Sequence, residues 1–159
     1  MGFALSSMQL TSAAFEQLGR MPARHTGEGD DVSPPLAWKD APEGTQAFAV
    51  VCHDPDAPLI ATNGTYGYVH WVLYNIPASV SELPENVRDY TSGISDFGRE
   101  GYGGPMPPNG HGLHLYYFWI LALKEAPQLP TGLTMTQLLQ KIEPIVIGMN
   151  RLVGTYQRD

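Results

Sequence analysis

The stretch "AFAVVCHDPDAP" (47–58) decides how this chain is read. Six apolar residues run without a polar break, then give way to His53 and two aspartates set among prolines. A short continuous apolar run bounded by turn residues reads as a strand buried on both faces. Asp before Pro favours an extended or turning backbone, so the strand should stop at about Asp54. Side chains alternate along a strand, which places Val50, Cys52 and Asp54 on one face and Val51 and His53 on the other. His53 and Asp54 are neighbours in sequence that should point apart.

Two further stretches share this character. "YVHWVLYNIP" (68–77) and "LHLYYFWILAL" (113–123) are apolar, branched and aromatic, and each reads as a buried strand. Alternation groups Tyr68, His70, Val72 and Tyr74 on one face of the first, and His114, Tyr116 and Phe118 on one face of the second. Weaker strand candidates lie at 9–15 and around Gln46. One helix is signalled in "GLTMTQLLQKIEPIVIGMNRLVGTY", where Thr134 and Gln137 form a capping box and Leu138, Leu139 and Ile142 an apolar stripe. Pro144 should end or kink that helix, and 144–152 is expected to resume as a second short helix.

Seventeen glycines and fourteen prolines fall without any period. That suits a β-rich domain with long shaped loops better than a helical bundle or a repeat array. Two such loops are "HTGEGDDVSPPLAW" (25–38) and "DFGREGYGGPMPPNGHGLH" (96–114). Loops of this length inside a compact domain are either disordered or functional, and the interleaved Trp38, Phe97 and Tyr102 argue against disorder. The chain has 159 residues, of which 43% are hydrophobic, enough for one buried core and a single domain over 1–159.

A formal net charge of -7 leaves no basic stripe for nucleic acid or an acidic membrane surface, so neither is an expected partner. The single cysteine, Cys52, excludes an intramolecular disulfide and is expected as a buried structural thiol. "MGFALSSMQL" lacks the features of a signal peptide and no apolar run reaches spanning length, so the expectation is a soluble cytoplasmic protein without stable membrane insertion. The patterns "MGFALS" and "NGT" at Asn63 formally match myristoylation and glycosylation signals, but motifs this short recur by chance.

Asp54, His70, His114 and Tyr116 fall near strand ends beside the two glycine-proline loops. Taken singly, each reads as a structural residue; their joint placement suggests a site. His53, Asp54, Asp56, His70, His111 and His114 offer metal ligands on paper, yet no HExxH motif or CxxC pair is present, and no metal or cofactor is expected. There is no G-x-S-x-G elbow, Cys52 lies inside a strand, and "GYGGPMPPNG" lacks the ending of a Walker loop, so no enzyme activity is expected. Two carboxylates at Asp54 and Asp56 leave an acid/base role open but unsupported. The donors on offer, imidazole N–H, phenolic O–H and the amides of a glycine-rich loop, suit an oxyanion pocket. In such a pocket Asp54 would accept from His70 and set that ring's tautomer, with Pro107 and Pro108 shaping the wall.

Together "DVSPPLAW" (31–38), "DPDAP" (54–58), "HWVLYNIP" (70–77), "GYGGPMPP" (101–108) and "GLHLY" (112–116) resemble the phosphatidylethanolamine-binding protein family, in its bacterial branch of Raf-kinase-inhibitor-like proteins. The resemblance runs from "LTSAAFEQLGRMP" (10–22) to "LVGTYQR" (152–158). It implies a mainly β fold with a large central sheet, a smaller second sheet and short peripheral and C-terminal helices. It also implies a small pocket for phosphate-like or carboxylate-like anions, such as a phospholipid headgroup, with Asp54, His70, His114 and Tyr116 in it and Pro107 and Pro108 at its rim. A cis peptide at Ala57-Pro58 is implied as well. The chain departs from the family where Leu115 replaces the usual arginine between His114 and Tyr116, and where His25 replaces an aromatic. Functional readings are thus a binder of a small anionic ligand, a protein-interaction or inhibitor module for a kinase or protease, and a hydrolase using the pocket histidines. Apolar loop residues such as Leu59 and Ile60 also suggest a homodimer.

Overall fold

The structure, a computed structural model, describes residues 3–57 and 66–159. Ala57-Pro58, Leu59, Ile60, Asn63 and the first two residues, on which several of the expectations above fall, lie wholly or partly outside the described residues. Within them the chain forms strands β1 (Gln9–Thr11), β2 (Gly19–Arg20), β3 (Leu36–Lys39), β4 (Ala47–Asp54), β5 (Tyr68–Pro77), β6 (Glu82–Leu83), β7 (Thr91–Ser92) and β8 (His114–Leu123), then helix α1 (Met135–Ile142) and strand β9 (Val146–Tyr156). A small sheet has the order β1-β3-β6 and a large one the order β2-β9-β8-β4-β5-β7. The three long apolar stretches of the sequence are β4, β5 and β8, and β8 and β4 lie inside the large sheet, with partners on both sides.

Both faces of that sheet are covered, which is why its strands read as continuous apolar runs. Leu10, Leu36, Trp38 and Leu83 of the small sheet share one core with Phe48, Val50, Cys52, Leu73, Phe118 and Ile120. Ala49, Val51, Val72, Tyr74 and Leu121 form a second core with Leu138 and Ile142 of α1. The helix begins as its sequence implies: Gln137 N–H donates to Thr134 Oγ1 at 3.2 Å, and Thr134 N–H donates to Gln137 Oε1 at 3.0 Å.

The end of the chain corrects an expectation. Pro144 does stop the helix, within a single 3-10 turn at Glu143–Ile145, but the chain then enters strand β9 rather than a second helix. It pairs with β8 from Leu123↔Val146 to His114↔Tyr156. Two glycines obscured this strand, and Gly154 shows why one is there. A Cβ at that position would stand 2.6 Å from Met21 Cγ and 2.9 Å from Phe15 Cε2, so the bare backbone lets two core side chains close over the sheet.

A second correction concerns β5. Cys52 pairs with Trp71 but His53 pairs with Val69, leaving His70 as an extra residue in a β-bulge. The bulge breaks the alternation. Tyr68 and His70 face the small-sheet side, and so do Trp71 and Leu73, while Val72 and Tyr74 turn to the helix side. Strict alternation through Val72 and Tyr74 is thereby lost, and His70 is aimed where a regular strand continuing from Leu73 would not aim it.

Candidate functional site

One cleft of about 450 Å³ opens at the ends of β4, β5 and β8. It is lined by Asp54, His70, Pro107, Pro108, His114 and Tyr116, the residues singled out in the sequence, together with Ala57, Tyr68, Phe97, Met106 and His111. Asp54, His70, His114 and Tyr116 each expose 4% or less of their surface, so any ligand must reach them through the cleft.

The floor is a chain of hydrogen bonds that the sequence did not assign correctly. Asp54 pairs with His114, not with His70: His114 Nδ1–H donates to Asp54 Oδ2 at 2.7 Å. The other carboxylate oxygen, Oδ1, accepts from Asp56 N–H at 2.8 Å, the Asx turn that Asp-Pro-Asp favours. Asp56 Oδ2 in turn accepts from Leu115 N–H at 2.7 Å, tying the turn after β4 to the start of β8. On its far side His114 Nε2 lies 2.7 Å from His111 Nδ1. His111 is the member the sequence offered only as a metal ligand on paper. Its signal was the three-residue step to His114 across Gly112, whose φ of 96° turns the chain back on itself.

His70 is held differently. Its Nδ1 stands 2.7 Å from the carbonyl of Gly103, which can only accept, so Nδ1 carries the hydrogen. Gly103 N–H donates back to the His70 carbonyl at 3.0 Å. The ring meets Tyr68, Tyr116 and Phe97 at centroid distances of 5.1, 5.2 and 5.4 Å, tilted or edge-on. Burial lowers the His70 pKa below its ordinary value, and the Gly103 bond and Asp54 only partly oppose that. Burial, with Asp54 next, raises the Tyr116 phenol well above its ordinary range, so it stays a neutral O–H donor. Neither His70 Nε2 nor Tyr116 OH has a hydrogen-bond partner among the described residues.

The glycine-rich loop does not form the expected amide nest at Gly103 and Gly104. The Gly103 amide is spent on His70, and Gly104 N–H donates to Asp31 Oδ1 at 2.7 Å. Instead the loop locks onto its counterpart at 25–38: Tyr102 OH donates to the His25 carbonyl at 2.7 Å, and His25 Nδ1–H to the Val32 carbonyl at 2.9 Å. His53, opposite Asp54, is outside the cleft with Nε2–H donating to the Tyr66 carbonyl at 2.8 Å. Among the described residues no group of three or more His, Cys, Asp or Glu side chains is arranged to hold a metal ion, and no helix there is long and apolar enough to cross a membrane.

Residues 11–157 match the family model for phosphatidylethanolamine-binding protein. A UPF0098 protein of Aquifex aeolicus is 40% identical over 159 residues, covering 96% of this chain and 90% of that one. A phosphatidylethanolamine-binding protein homologue from Chlamydia trachomatis superposes with a TM-score of 0.87 at 34% identity, over 96% of this chain and 98% of its own. YbcL of E. coli, described as a member of the mammalian family, superposes with a TM-score of 0.86 at 31% identity, over 97% and 100%. With two packed sheets and one short α-helix among the described residues, and this match along nearly its whole length, the chain belongs to the phosphatidylethanolamine-binding protein family.

Proposed function

We propose that the chain is a binding protein for a small anion, of the phosphate or phospholipid-headgroup kind, and that the cleft between β4, β5 and β8 is its site. The carrying observation is a pair of polar atoms on buried side chains, Tyr116 OH and His70 Nε2, without a hydrogen-bond partner among the described residues, at one cavity that Tyr68, Phe97, Met106, Pro107 and Pro108 line beside Asp54, His111 and His114. A few polar groups on a mostly apolar, preformed wall is the usual composition of a small-molecule site. Phe97 and Met106, 38% and 46% exposed at the mouth, give the organic part of such a ligand an apolar surface. The family name points to the same ligand chemistry.

Binding is favoured over hydrolysis by the surroundings of the histidines. Both oxygens of Asp54 and both nitrogens of His114 are already engaged. No Ser, Thr or Cys is among the described lining residues to serve as a nucleophile. A histidine-selective NMR titration with O-phosphoethanolamine and inorganic phosphate tests the proposal. Shifts at His70, His114 and Tyr116 are expected; unchanged resonances at millimolar ligand sink it.

A further inference from the structure

The two nitrogens of His70 have different jobs. Nδ1–H is committed to the Gly103 carbonyl, which leaves Nε2 as the atom turned to the cleft. In the uncharged ring that nitrogen carries a lone pair, not a hydrogen. Around it stand Asp54 and His53 on β4, Tyr68 on its own strand, Asp96 and Phe97 on the loop after β7, and His114 and Tyr116 on β8. The Arg99 guanidinium lies 5.2 Å from the centroid of the Phe97 ring, and its Nη1 donates to the Tyr102 carbonyl. Among its described lining residues the cleft thus presents two phenol O–H donors, Tyr116 and Tyr68, beside the His70 lone pair and the Asp54 carboxylate. A fully deprotonated phosphate ester would meet lone pair against lone pair.

Resting on the anion-binding reading above, we propose that this pocket takes its anion together with one proton, held between His70 Nε2 and the ligand, so that it selects phosphate monoesters in the singly charged, protonated state. When the free ligand is a dianion, the balance is dianion plus one proton from solvent plus protein giving the complex; no covalent bond to a heavy atom forms or breaks. His70 is then the specificity-determining residue. The Gly103 bond is the device that turns Nε2 rather than Nδ1 to the ligand, and the β-bulge puts the ring there at all. Burial, which disfavours the imidazolium in the empty pocket, makes the proton arrive with the anion instead of before it.

Phenyl phosphate is the probe, titrated calorimetrically from pH 7 to pH 8.5 in two buffers of contrasting ionisation enthalpy. Above its second pKa of about 6 the free ester is a dianion. Uptake of close to one proton per ligand is expected, with Kd weakening about tenfold for each pH unit of rise. H70Q places an amide nitrogen near Nε2 that donates without titrating, and its pH slope is expected to vanish. Nitrogen-15 spectra of the unliganded wild-type protein should show His70 with its hydrogen on Nδ1. Wild-type binding with no proton uptake and a flat pH profile overturns this inference and leaves the anion site standing. Absence of binding across the range, repeated at pH 5.5, overturns both.

Discussion

Asp54 Oδ2 and His114 Nδ1 meet at 2.7 Å from two strands that are not neighbours in sequence, with 4% of each side chain exposed. The pair joins β4 to β8 beneath the cleft. Replacing Asp54 by Ala strands the buried His114 Nδ1–H and also leaves Asp56 N–H without its acceptor, and should destabilise the fold by roughly 3–5 kcal/mol. Asp54→Asn keeps an acceptor oxygen for one of them and should lose less, about 1–3 kcal/mol. Denaturant midpoints at equal m-value check the order; an Ala variant as stable as wild type would show that the pair carries no structural weight.

The loop that forms one wall depends on a bare backbone. A Cβ at Gly104 would stand 2.3 Å from the His25 carbonyl oxygen and 2.8 Å from Thr26 Cα, both main-chain atoms that cannot step aside. Gly104→Ala should therefore push the 103–108 segment away from 25–31, costing roughly 1–3 kcal/mol and weakening ligand binding at the same time. Gly44, whose absent Cβ has nothing within 4 Å but whose φ is 89°, is the control: its Ala variant should lose stability through backbone strain alone, with binding unchanged.

His70 makes stability depend on pH in a definite direction. Its folded pKa lies below the ordinary value near 6.5, so in the window between the two the unfolded chain binds more protons than the native one. Stability then rises with pH across that window and falls as pH drops through it. In His70→Gln this contribution is gone, so the stability gap between wild type and variant should shrink from pH 7.5 to pH 5. Thermal melts of both at half-unit steps measure it; a gap that widens on acidification contradicts the assignment.

Cys52 should be silent toward thiol reagents. It is buried between the sheets, and burial followed by the Asp54 charge raises its pKa well above the usual thiol range. Labelling under native conditions should run more than about 10³-fold slower than in denaturant, limited by opening of the core. Fast labelling would mean that β4 opens locally.

Much of the fold was legible because it rests on local pattern. The apolar runs at 47–54, 68–77 and 113–123 became strands with nearly those bounds, and Thr134 with Gln137 marked the start of α1. Strand β9 was hidden because two glycines and a polar Asn150-Arg151 pair diluted its pattern, and its partner β8 ends at Leu123, far back along the chain. The site residues were legible as a set. Their pairing was not: His70 was expected to bond Asp54, and the structure gives Asp54 to His114 and His70 to Gly103.

By itself, the stretch 47–58 determined a buried strand that ends in a proline-framed turn, with His53 and Asp54 facing apart, since alternation and turn chemistry act within a few residues. Only the tertiary structure decided which histidine meets Asp54 and which nitrogen of His70 faces the cleft. Those outcomes depend on register between strands, on a single-residue bulge opposite Cys52 and on loops 25–38 and 96–114 closing over each other. Such relations are set by packing many residues apart, where sequence spacing carries no information.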